Sequence, residues 1–157
     1  MPRKNKKTRV CQRLLIFLAL IWLGMVLGIS FLEAPVKFRA PTLTRSVGLD
    51  VGRHVFGFFN KVEIALGVIT LGLLLMIRPS WPTVIPYTAV WVIVILQSFW
   101  LMPFLDARTD LILQGQTPEK SNLHAVYVVL EVLKAGLLGY FGFRHIRPFK
   151  PNGRDNI

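Results

Sequence analysis

Glu131 and Lys134 stand three residues apart inside an otherwise apolar stretch, Leu123–Phe143. Twenty or so such residues are enough to cross a bilayer as a helix. Spacing i to i+3 puts acid and base on one helical face, acid first, so each can neutralise the other. Lys134 would lie about 15 Å along the axis from the basic end of the stretch, beyond the reach of a lysine stem. Either charge alone would cost about 2.5–3.5 kcal/mol at that depth. His124 and Tyr127 continue the same face, and the four side chains span about 80° of arc. Gln97 and Ser98 in a neighbouring apolar stretch, Glu63 and Thr70 in another, and Glu33 beside a third are the groups available to meet this stripe. Intramembrane charges mark paths for protons, ions or solutes. The alternative is a buried ion pair that fixes helix register and moves nothing. The second asks for less.

Other chemistry has little foothold. The sequence contains no P-loop, GxSxG, HExxH or paired-carboxylate arrangement, so no catalytic residue is assigned and no enzyme is expected. Cys11 stands alone, which rules out an internal disulfide framework and a CxxC metal site. His54 and His124 both fall near one end of their helices, where two histidines across a bundle can ligate haem in an electron carrier. No repeated His pair or Met-rich cluster accompanies them. Neither cofactor nor metal is expected.

The elements that must position the stripe are four apolar runs. The chain has 157 residues, 53% apolar and 17% charged, with mean hydropathy +0.51. An ordinary soluble domain is nearer half apolar and a quarter charged. Here the excess is concentrated in spans at about 14–32, 55–77, 84–105 and 123–143, flanked by a basic segment 1–13 and a basic segment 144–157. In hydrocarbon the backbone must satisfy its own hydrogen bonds, so the spans are helices. The expected fold is an all-α, integral membrane four-helix bundle. The first helix is read as an uncleaved span, because it lacks a clear A-x-A cleavage site.

In the long first connection Ala34-Pro35 and Ala40-Pro41 are expected to break helix. From Thr42 onward Val47, Val51, Val55, Phe58 and Val62 follow one face. They predict a helix from near Leu43 running unbroken into the second span and projecting on the outer side. The third connection, about 106–122, is expected to be a loop. Gly24-x-x-x-Gly28 in the first span and Ala135-x-x-x-Gly139 with Gly142 in the fourth permit close helix approach, within one chain or between chains.

Net charge is +11, but the basic residues flank apolar runs and read as topology signals rather than a nucleic-acid surface. Eleven Lys and Arg fall on the side of the two termini and seven on the other. Cytoplasmic segments carry the excess, so both termini are expected in the cytoplasm of a bacterial inner membrane. The basic tails suit anionic lipid headgroups.

The run Glu33-Ala34-Pro35-Val36-Lys37-Phe38-Arg39 after a first span, followed by a glycine-containing helix into the second, resembles the transmembrane protein 205-like family. Ala34, Pro35, Phe38 and Arg39 carry the resemblance most specifically. It implies a small four-span membrane protein, with bacterial members described as a domain of unknown function, and no catalytic residues. The expected role is a binding or accessory component of a membrane assembly. Its partners would be the lipid bilayer and a second copy or another membrane protein, not nucleic acid. The alternatives are a small oligomeric transporter of ions, protons or solutes using Glu131 and Lys134, and a haem-bearing electron carrier.

Overall fold

A computed structural model describes residues 6–145, and all of its regular structure is helical. Four helices are long and apolar enough to cross a membrane: α1 (Lys6–Lys37), α2 (Arg45–Ile77), α3 (Trp81–Leu113) and α4 (Leu123–His145). Arg3 and Lys4, and Arg147, Lys150 and Arg154 of the basic tails, lie outside the described residues. The helices form a ring in which α1 packs on α4, α4 on α3, α3 on α2 and α2 on α1. The outward faces carry large apolar side chains, with Phe58, Met76 and Phe99 each more than 70% exposed. Apolar surface on that scale needs hydrocarbon to cover it. The protein is a multi-pass membrane bundle.

Local sequence explains each boundary. Thr44 caps α2, its hydroxyl accepting from the Val47 N–H at 3.4 Å. Arg78 ends the helix in the left-handed region (φ 47°), its N–H reaching the Leu74 carbonyl just before Pro79. The helix predicted from near Leu43 therefore begins at Arg45 and runs unbroken to Ile77, about 50 Å.

Two expectations are corrected. Ala34-Pro35 does not end the first helix, and residues 106–113 are helix rather than loop. In both cases a proline sits just after a π-helical stretch. Leu27–Glu33 is π-helical before Pro35, and Gln97–Leu101 before Pro103. Proline lacks an N–H, and its ring meets the carbonyl four residues back in a regular α-helix. A wide turn shifts the ladder by one: the Ala34 N–H bonds the Ile29 carbonyl, and the Met102 N–H the Gln97 carbonyl. The helix passes the proline without breaking.

Close approach is specified by small residues. A Cβ on Gly67 would meet the Trp91 ring at 2.7 Å, and one on Gly142 would meet Leu20 at 2.6 Å. The small residues of α4 thus pack against α1 within the chain. Nothing lies within 4 Å of a Cβ built on Gly24 or Gly28, so that pair is not used inside the monomer.

Candidate functional site: an intramembrane polar cluster beneath a cavity

Glu63, Gln97, Glu131 and Lys134 are at most 1% exposed, and all four converge at mid-bundle. The Lys134 ammonium sits among three oxygens: Glu63 Oε1 at 2.6 Å, Glu131 Oε1 at 2.7 Å and Gln97 Oε1 at 2.8 Å. Glu63 and Gln97 accept hydrogen bonds from the ammonium, and Glu131 is its second ion-pair partner. Gln97 returns a bond from Nε2 to Glu131 Oε1 at 2.7 Å. The Trp22 indole N–H donates to Glu63 Oε1 at 2.9 Å, and the Ser30 hydroxyl to Glu131 Oε2 at 2.8 Å. The Phe59 ring lies 5.8 Å from the ammonium. Every helix contributes: Trp22 and Ser30 from α1, Glu63 from α2, Gln97 from α3, Glu131 and Lys134 from α4.

The wide turns have a second effect here. Ser30 lies within the first π-helical stretch and Gln97 opens the second, and both side chains end on Glu131. Helix irregularities forced by Pro35 and Pro103 therefore carry two of the six polar partners.

Above the cluster a cavity of about 360 Å³ opens toward the end of the bundle that holds the first and third connections. Glu131 and Ser30 form its deep end, and Tyr127 and His124 climb its wall on α4. From His124 to Glu131 is seven residues, about 10 Å of helix. Tyr127 is buried, its ring edge-on to Phe56 at 5.3 Å. His124 is exposed at the head of α4. Ala34, Pro35 and Phe38 form the cavity wall on α1, while Arg39 is not among the lining residues. Phe38 fits because position 48 is glycine, where a Cβ would meet its ring at 2.5 Å. Lys37 rests likewise against Gly52, near the Phe38 and Phe56 rings and 3.3 Å from Glu33. At the rim Arg53 pairs with Asp50 at 2.9 Å and with Asp110 on the helical extension of α3.

Below the cluster the interior is filled. Leu15, Ala19, Tyr87, Val90, Leu138 and Phe141 are each at most 3% exposed. The Tyr87 hydroxyl donates to the Leu15 carbonyl at 2.8 Å, and its ring packs on Phe141 at 4.5 Å. The site is open above and packed below.

Of the residues singled out in the sequence, Glu63, Gln97, Glu131 and Lys134 meet directly, and Tyr127 and His124 line the approach. Thr70 and Ser98 turn back on their own helices, donating to Gly67 and Val94 carbonyls. His54 bonds the Asp50 carbonyl and borders a separate lateral groove, so it and His124 do not share a cavity. No group of three His, Cys, Asp or Glu among the described residues is placed to hold a metal ion. Trp22 and Ser30 are partners the sequence reading missed, since neither stands out in an apolar run.

Residues 17–112 match the family described as a domain of unknown function, DUF4149. That span is more than half of the chain. The chain belongs to this family. The matched segment covers most of α1, all of α2 and nearly all of α3, including both wide turns, Glu63 and Gln97, but not Glu131 and Lys134 of α4. No curated protein and no solved structure matches the chain.

Proposed function

We propose that this is a non-enzymatic binding component of a bacterial inner membrane, both termini cytoplasmic, that holds a small amphiphilic molecule in its cavity. The observation that carries the proposal is a cavity of about 360 Å³ open at one end and stopped at the other by the Glu131 cluster and the packed side chains beneath it. Its volume lies in the range of small-molecule sites, and its mix of Phe, Met and Leu walls with a few polar groups is typical of them. A through-path would need an opening past Tyr87 and Phe141 as well. The likeness to transmembrane protein 205-like proteins supports the same reading, because Ala34, Pro35 and Phe38, on which it rests, are cavity wall. The component would serve within an assembly, either of copies of itself or with another membrane protein. The unused Gly24–Gly28 face is where such a neighbour could approach closely.

The test is to purify the chain in mild detergent and identify what copurifies by native mass spectrometry, beside an Ala34→Trp variant that fills the cavity. A bound species of constant mass on the wild type, lost from a folded Ala34→Trp protein, is the expected result. Identical spectra from both would overturn the proposal. A second reading, an oligomeric transporter, is favoured by one observation only, the unbalanced charge of the cluster.

A further inference from the structure

The cluster contains two carboxyl groups and one ammonium, all at most 1% exposed. With every group ionised it carries one surplus negative charge. On α1 the facing groups are Trp22 and Ser30, on α3 Gln97, and on α2 Glu63 alone, so no further cation touches it. Tyr127, the next titratable group up α4, supplies no positive charge. In the cavity Lys37 is held by Glu33, and Arg53 by Asp50 and Asp110, while Asp106 and His124 stand nearer the rim. None of these compensates the surplus. The place a metal cation would take among the three oxygens is already filled by Lys134 Nζ. An uncompensated charge at membrane depth is strongly disfavoured. What can still be added is a proton, on a carboxyl oxygen that the ammonium does not use.

We propose that Glu63, Glu131 and Lys134 together form a one-proton site, and that the cavity is the proton's way in and out. The two carboxyls share the proton as a coupled pair. Glu131 lines the cavity, its Oε2 accepting from the Ser30 hydroxyl and its carboxylate meeting the Tyr127 hydroxyl on the cavity wall, so exchange occurs there. This deepens the binding reading, since a ligand in the cavity sits on a floor whose charge changes by one. It does not depend on which ligand binds.

Dicyclohexylcarbodiimide tests it, because the reagent adds to protonated carboxyls in apolar surroundings. The acid proton moves to a carbodiimide nitrogen as the carboxyl oxygen bonds the central carbon. The full-length protein is labelled in vesicles of uniform orientation, and adducts are counted and located by mass spectrometry. The wild type is expected to take one adduct, on Glu131 or Glu63. Its rate should fall as pH rises on the side of the first and third connections, and ignore pH on the other side. Glu131→Gln and Glu63→Gln each leave one acid against Lys134, and labelling of the remaining acid is expected to vanish. Lys134→Met leaves two acids and no base, so two adducts are expected. No adduct on the wild type, or undiminished labelling of the partner acid in both Gln variants, would overturn the proposal. Should the variants fail to fold, the adduct count and one-sided pH response of the wild type decide it alone. Loss of the copurifying molecule would sink the binding reading and leave this result standing.

Discussion

Removing the base and removing one acid are unequal changes to this cluster. Lys134→Met strips the three oxygens around it of their only cation and leaves Glu63 and Glu131 side by side. Breaking a buried pair in this way costs about 3–5 kcal/mol. Glu131→Gln can keep its amide oxygen toward Lys134 and Gln97 and donate its amide N–H to the Ser30 hydroxyl, which also accepts, and it leaves Glu63 against Lys134 as a balanced pair. We expect its stability to stay within about 1 kcal/mol of wild type, the net value of one hydrogen bond. Reversible unfolding in mixed micelles measures both. Equal losses would mean that charge balance is not what the cluster depends on. The sequence made the four central residues legible because a charged side chain in an apolar run stands out at once. Trp22 and Ser30 were not legible, because an indole or hydroxyl is common in apolar helices. Only the fold shows that the Trp22 N–H ends on Glu63 and the Ser30 hydroxyl on Glu131.

At the scale of elements, the wide turn in α3 acts as one surplus residue that the helix absorbs. Deleting Phe99, inside that turn and 78% exposed, would let the ladder close regularly while Met102–Leu113 keep their facing. Deleting Val92, in the regular part of α3, would turn everything after it by about 100°. A cysteine introduced by Thr109→Cys, at a buried position on the cavity wall, reports the difference. It should stay slow to react after the first deletion and become fast after the second. The first deletion should still lower stability, by about 3 kcal/mol, since Pro103 then meets a regular α-helical carbonyl. Glycines give a parallel contrast. Gly67→Ala drives a Cβ into the Trp91 ring, which is tied by its N–H to the Gly67 carbonyl at 3.0 Å, so about 1–3 kcal/mol should be lost. Gly24→Ala meets nothing in the chain and should cost the monomer nothing. If the same change weakens an oligomer in crosslinking, that face is an interface. The number of helices was readable from the apolar runs and the end of α2 from Arg78-Pro79, while its start, expected near Leu43, falls at Arg45 because Thr44 is the cap. The passage of helix through Pro35 and Pro103 was not, because proline in sequence signals a stop and only the shifted hydrogen bonds of Ala34 and Met102 reveal the bypass.

For the whole molecule, the direction of the cavity matters more than its shape, and direction rests on charge. Eleven Lys and Arg on the side of the termini against seven on the other favour a cytoplasmic placement of both ends. The cavity mouth would then face away from the cytoplasm, and the packed floor of Tyr87 and Phe141 toward it. A ligand or proton would be exchanged with the outer side. The chain supplies its own reporter, since Cys11 is its single cysteine and lies near the N-terminal end of α1. In intact cells an impermeant maleimide should leave Cys11 unlabelled until the membrane is permeabilised. In a Cys11→Ser background, Gln116→Cys on the third connection should label at once, and Ser80→Cys between α2 and α3 should not. Both positions are exposed in the fold, so accessibility to the reagent reads the side of the membrane and not burial. The reverse pattern would turn the molecule over, place the mouth in the cytoplasm, and require the proton of the Glu131 cluster to come from there.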